Sequence, residues 1–101
     1  MFVSNSDNLG ATLDPHILTH IASSGSPFMM EVCGRLEGDK KGGHLCRRKT
    51  DNSIILRETA QCHQEDVQSF QNTNIHPFFN TNNLWVNLER LLERMEEYEV
   101  F

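Results

Sequence analysis

The sequence predicts an α/β fold, and three observations carry that expectation. Met1-Phe2-Val3, a polar turn, a capped helical stretch and the apolar run Phe28-Met29-Met30-Glu31-Val32-Cys33 follow one another in βαβ order. His44 to Lys49 and Ile54-Ile55-Leu56-Arg57-Glu58 flank Asp51-Asn52, which is the pattern of a hairpin. Leu84, Leu88, Leu91, Leu92 and Met95 recur at helical spacing, with Glu and Arg between them.

Each element has a local reason. The opening run is rich in strand-forming types, and Ser4-Asn5-Ser6-Asp7-Asn8-Leu9-Gly10 ends it with small polar side chains and a glycine. Asp14 can cap free N–H groups, and Pro15 suits the first helical position. Ile17, Leu18 and Ile21 share one face of that helix, which Ser23-Ser24-Gly25-Ser26-Pro27 closes. Gly38-Asp39-Lys40-Lys41-Gly42-Gly43 reads as a polar loop. Gln64 to Phe70 is expected to be a short helix with Val67 and Phe70 inward, and Ile75 to Phe79 to be extended. Asn80-Thr81-Asn82-Asn83 reads as a second polar loop, and the last helix is expected to start near Asn83. Strands are expected near residues 1–4, 28–33, 44–49 and 54–58.

Composition excludes several functions. The 101 residues carry 9 Lys+Arg against 14 Asp+Glu, a net charge of −5. Such a surface repels phosphate backbones, so no nucleic-acid partner is expected. No apolar run nears the roughly 18 residues a membrane helix needs, and the opening residues lack the basic and apolar regions of a secretory signal. Cys33, Cys46 and Cys62 are odd in number and widely spaced, which argues for three reduced, mostly buried thiols rather than disulfides or a zinc site. A cytoplasmic protein is expected. Hydrophobic residues make up only 38%, few for a self-sufficient core of this length.

Charge is uneven: residues 35–57 carry a local +4 and residues 58–101 a local −6. The basic middle suits either an anionic ligand or a solvated hairpin. Three polar clusters interrupt the apolar pattern. Asn5-Ser6-Asp7-Asn8 follows a strand end, where open α/β sheets bind ligands. A carboxylate between amides suits Mg²⁺ bridging phosphates, or the stretch is simply a turn. In Lys40-Lys41-Gly42-Gly43-His44 the glycines permit close approach of a ligand and the lysines favour an anion, or the stretch is a hairpin lead-in. The asparagines of Asn80-Thr81-Asn82-Asn83-Leu84-Trp85 donate and accept, as sugar hydroxyls do, or Asn83 is only a helix cap. Trp85 reads as core. Glu58, at a strand end, is a surface residue or a hydroxyl acceptor.

FVSNSDNLGATLD at 2–14, FMMEVCGRLEGDKKGGHLCRRK at 28–49, LRETAQC at 56–62 and FFNTNNLWVNL at 78–88 resemble, in this order, the central part of eukaryotic-type UTP–glucose-1-phosphate uridylyltransferases, the UDP-glucose pyrophosphorylases. The resemblance implies a mixed-sheet, glycosyltransferase-A-like (Rossmann-like) nucleotidyltransferase domain. It implies the conversion of UTP and glucose 1-phosphate to UDP-glucose and pyrophosphate with Mg²⁺. Carried over residue by residue, Asp7 matches the carboxylate near the phosphates and the metal, and Asn5 and Asn8 its flanking amides. Gly43 matches a backbone contact to the sugar, and Glu58 and Asn80 groups that hold glucose hydroxyls.

The family's glycine-rich nucleotide loop and its C-terminal β-helical domain have no counterpart in these 101 residues. The whole chain, 1–101, is therefore expected to be a partial central segment of the catalytic domain, inactive alone. Exposed sheet edges are expected to drive self-association. A different class of function, an interaction module using the C-terminal helix, is the alternative.

Overall fold

The computed structural model describes residues 1–36 and 42–98. Lys40, Lys41 and most of the glycine-rich loop lie outside the described residues. The elements, in chain order, are β1 (Phe2–Val3), α1 (Pro15–Ser24), β2 (Phe28–Gly34), β3 (His44–Arg47), β4 (Ile54–Arg57), α2 (Val67–Phe70), β5 (Phe78–Val86) and α3 (Leu88–Glu97). The α/β class is as expected. Two compact units divide the chain: Met1–Glu31 with Asn82–Phe101, and Val32–Thr81.

In the first unit β1 pairs antiparallel with β5, Phe2 opposite Trp85 and Val3 opposite Leu84. The Val86 N–H donates to the Met1 carbonyl at 2.8 Å, and the Asn87 N–H donates to the Pro27 carbonyl at 3.0 Å. Successive N–H groups of an extended chain point to opposite sides, so the β5 end stands between the start of β1 and the residue leading into β2. A simple βαβ unit would place β1 and β2 side by side; here β5 separates them.

Helix α1 forms as its sequence dictates. Asp14 Oδ1 accepts from the His16 N–H at 2.8 Å. Gly25 closes the helix with φ of 71°, a left-handed conformation that favours glycine. Of the expected apolar face, Ile21 is buried and Leu18 remains exposed. Trp85 is buried as expected, packs on Phe2 at a ring distance of 4.5 Å, and donates through Nε1 to Glu31 Oε2 at 2.8 Å.

The expected loop at Asn80–Asn83 is instead part of β5, and the last helix starts at Leu88, not near Asn83. Asn83 and Trp85 are both buried, with Leu84 between them less so, which is the two-residue period of a strand. Asn87, not Asn83, is the cap: its Oδ1 accepts from the Arg90 N–H at 3.2 Å. Leu84 therefore leaves the helical stripe, and Leu88 and Leu92 on α3 are exposed.

In the second unit β3 and β4 form the expected hairpin, with His44 opposite Arg57 and Arg47 opposite Ile54. Asp51 Oδ1 accepts from the Ser53 hydroxyl at 2.7 Å and the Ser53 N–H at 3.1 Å, and Asn52 takes a φ of 61°. These bonds hold the Asp51 carboxyl below its usual range. His44 also pairs antiparallel with Phe79 of β5. A 3-10 turn at Gln64–Asp66 leads into the one-turn α2, which buries Phe70. Extended pairing begins at Phe78 rather than Ile75.

All three cysteines are unbridged, but Cys33 is exposed and Cys46 and Cys62 are only half-buried. The expectation of mostly buried thiols does not hold. Few apolar residues are buried among those described: Ile21 and Trp85 in the first unit and Phe70 in the second.

Candidate functional site

The sequence-predicted residues fall into two trios, one in each unit. Asn5, Asp7 and Asn8 belong to the turn after β1. The Asn8 N–H donates to the Asn5 carbonyl at 3.0 Å, and the Leu9 N–H to the Asp7 carbonyl at 3.1 Å. Asn5 and Asp7 are exposed, and Asn8 is half-buried. The turn is anchored by Asn83, which the sequence offered as a partner for sugar hydroxyls or as a helix cap. Asn83 Oδ1 accepts from Ser4 Oγ at 2.6 Å and from Asn8 Nδ2 at 2.9 Å. Burying an amide is favourable only with partners, and Asn83 has them.

Among the described residues no group of three or more His, Cys, Asp or Glu is placed to hold a metal ion. Asp7, a single exposed carboxylate on a turn, fits a Mg²⁺ ion whose remaining ligands are phosphate oxygens and water.

Gly43, Glu58 and Asn80 come from three segments, and the second unit brings them together. The Asn80 N–H donates to the Gly43 carbonyl at 3.1 Å. A Cβ at Gly43 would stand 2.6 Å from Glu58 Oε1 and 2.7 Å from Oε2. Any side chain at position 43 would have to push that carboxylate aside. Glu58 is held by its backbone on both sides. Its N–H donates to Gln61 Oε1 at 3.1 Å, and its carbonyl accepts from the Gln61 N–H at 2.9 Å. Glu58 itself remains exposed. A carboxylate beside backbone amides and an asparagine suits a polyol, whose hydroxyls need both acceptors and donors.

Sequence reasoning missed the groups behind this trio. His44, next to Gly43, is fully buried. Its ring lies 4.1 Å from His76, nearly parallel, and 4.2 Å from Phe70. Arg35 Nη1 donates to the carbonyls of Phe70 at 3.2 Å and His76 at 3.1 Å. Burial, followed by the neighbouring His76, pushes the His44 pKa down from 6.5 to about 4. His76 is pushed down by burial and by the Arg57 and Arg35 charges. No alternation in HLCR marks His44 as inward, since burial falls steadily along the strand.

The first unit also has an open cleft of about 430 Å³ lined by Ser24–Pro27, Arg90, Glu93 and Arg94. It contains none of the predicted residues. Arg90 pairs with Glu93 at 3.0 Å and Arg94 with Glu97 at 2.9 Å on an exposed helix face, which accounts for these charges.

The fold is an α/β scaffold with its predicted polar residues on turns and at or near strand ends. The comparisons identify its family. The model of the family UTP--glucose-1-phosphate uridylyltransferase matches residues 1–100. The enzyme of that name from Saccharomyces cerevisiae is 42% identical over 96 residues, 95% of this chain and 19% of that protein. The Solanum tuberosum enzyme is 41% identical over 95% of this chain and 20% of its own length. A crystal structure described as UDP-glucose phosphorylase from Trypanosoma brucei superimposes on all of this chain and 22% of its own, with a TM-score of 0.89 and 52% identity. A Leishmania major UDP-glucose pyrophosphorylase variant in complex with UDP-glucose matches 98% of this chain and 23% of its own, with a TM-score of 0.84 and 49% identity. The chain belongs to the UTP–glucose-1-phosphate uridylyltransferase family and spans about a fifth of the length of these relatives.

Proposed function

We propose that this chain is the sugar-side segment of a UTP–glucose-1-phosphate uridylyltransferase. In the reaction, a phosphate oxygen of glucose 1-phosphate bonds to the α-phosphorus of UTP, and the bond to pyrophosphate breaks. The observation that carries the reading is the convergence of Gly43, Glu58 and Asn80 from three segments. Glu58 accepts hydrogen bonds from glucose hydroxyls, and Asn80 together with the Gly43 backbone positions the ring. Asn5 and Asn8 orient the phosphate and sugar ends from the turn after β1. Asp7 would hold a Mg²⁺ ion brought with the phosphates, which would supply positive charge to offset that of the phosphates.

In this reading the 101 residues have no turnover alone, because the loop that would bind the triphosphate is outside them. In the same reading the setting is cytoplasmic and the partners are small molecules, not nucleic acid or membrane. No helix among the described residues is long and apolar enough to cross a membrane. Exposed Phe28, Leu88 and Leu92 favour self-association of the isolated chain, which light scattering would read as species larger than a monomer.

The test of the site is a titration of the chain with glucose 1-phosphate and UDP-glucose, followed by amide chemical shifts. Shifts at Gly43, Glu58 and Asn80 that vanish in Glu58→Ala support the assignment. Shifts confined to other residues reject it.

A further inference from the structure

The unit bounded by Val32 and Thr81 is held together around neutral imidazoles. His44 Nδ1 lies 3.4 Å from the Leu45 carbonyl, which can only accept. Nδ1 therefore carries the proton, and Nε2 presents a lone pair. That lone pair faces Arg57 Nη2 at 3.4 Å, a group that can only donate. The same Arg57 nitrogen lies 3.5 Å from His76 Nε2. The Arg57 guanidinium also stands over the Phe70 ring, 5.0 Å from its centre.

The charged and titratable groups that bear on His44 are Arg57 from β4, His76 from the segment before β5, and Arg35 from the residues after β2. Each is a cation or becomes one on protonation. A proton on His44 Nε2 turns the acceptor into a donor aimed at Arg57 and adds a buried positive charge. The contact then repels. His44 and Arg57 are directly opposed across the β3–β4 ladder. Gly43 precedes the one and Glu58 follows the other, so this cross-strand pair fixes the end of the hairpin where the Glu58 carboxylate sits against Gly43.

We propose that the stacked His44 and His76 imidazoles and the Arg57 guanidinium form an acid-released clamp that holds Glu58 against Gly43. The clamp stands independently of the substrate reading, and its test contains no substrate. The linkage has a definite sign. Because folding lowers the His44 pKa, its contribution is fully present above the ordinary value of 6.5. It is lost as pH falls through the window from 6.5 to about 4. Across that window the folding equilibrium of this unit drops by roughly a hundredfold from His44 alone.

The experiment is a side-chain NMR titration of the 101-residue chain from pH 8 to 3.5. Ring nitrogen shifts report the tautomer, and hydrogen exchange of the Asn80 amide reports its bond to Gly43. The expected result is a His44 midpoint well below 6.5, an Nδ1–H tautomer above it, and Asn80 protection lost in step with that titration. The His44→Gln/His76→Gln double variant keeps amide groups but gains no charge, so its Asn80 protection should lose that acid step. An ordinary His44 midpoint, the opposite tautomer, or Asn80 protection that persists through the His44 titration overturns the proposal. So does an unchanged acid step in the double variant. If that variant does not fold, the titration of the unsubstituted chain decides alone.

Discussion

Gly43→Ala separates what the fold needs from what the site needs. The added methyl would stand 2.6–2.7 Å from the Glu58 carboxyl atoms, whereas ordinary contact begins at 3.4 Å, so the carboxylate retreats by 0.7–0.8 Å. The atoms that must move are the end of a flexible, exposed side chain rather than backbone. Moving it off its preferred rotamer costs about 0.5–1.5 kcal/mol. Alanine also restricts the unfolded chain, which offsets about 0.4–1 kcal/mol. The net change in stability is therefore within about 1 kcal/mol, a shift in melting temperature of at most about 8 °C. Sugar binding responds differently. A hydrogen bond to a charged group contributes about 1.5–3 kcal/mol, so losing its alignment weakens glucose 1-phosphate binding by roughly ten- to a hundredfold. Calorimetric melting and a ligand titration by NMR measure the two effects on the same sample. Glu58→Ala should give a similar loss of binding, and adding Gly43→Ala to it should cost little more, since both act through one carboxylate. A loss of stability above about 3 kcal/mol would show that the carboxylate cannot yield, and unchanged binding would show that it does not touch the sugar.

Asn83→Ala leaves the Ser4 hydroxyl and the Asn8 amide without this acceptor, and should destabilise the first unit by about 2 kcal/mol, read from the denaturation midpoint. Asp7→Ala should leave the melting of the chain unchanged, because its carboxylate is exposed. When the segment is carried in a full-length member of the family, the same substitution should lower turnover by about a hundredfold or more and raise the Mg²⁺ concentration required. Asp51→Ala should loosen the β3–β4 turn, visible as faster amide exchange at Ser53. The contribution of Asp51 is present above its ordinary pKa of 3.8 and is lost as pH falls through its lowered value.

What the sequence revealed, and what it hid, follows from how far apart the deciding partners lie. Helix α1 was legible because Asp14, Pro15 and Gly25 act within a turn of where they stand. The β3–β4 hairpin was legible because strand-forming runs flank a turn whose bonds join Asp51 to Ser53. The stretch from Asn80 to Asn83 was not. Asparagines alone look like turn chemistry, and the partners that make Asn83 a buried strand residue, Ser4 and Asn8, lie 79 and 75 positions away. His44 was hidden for the same reason, since Arg57 is 13 positions on and its partner role depends on a tautomer. Of the site, the Asn5–Asn8 turn showed itself in composition, whereas the meeting of Gly43, Glu58 and Asn80 was legible only through family resemblance. No local pattern favours a glycine at 43 until the Glu58 carboxylate is placed beside it.

Trp85 is the single tryptophan of the chain. Its indole is buried against Phe2 and bonded to Glu31, all within the first unit. Ultraviolet emission excited at the red edge therefore reports that unit alone, while the Val32–Thr81 unit is spectroscopically dark. Circular dichroism sees both. If the two signals change at one temperature, the units melt as a single cooperative body; if emission lags or leads, each has its own transition. The chain thus carries an internal probe of whether its halves depend on each other, with no label attached.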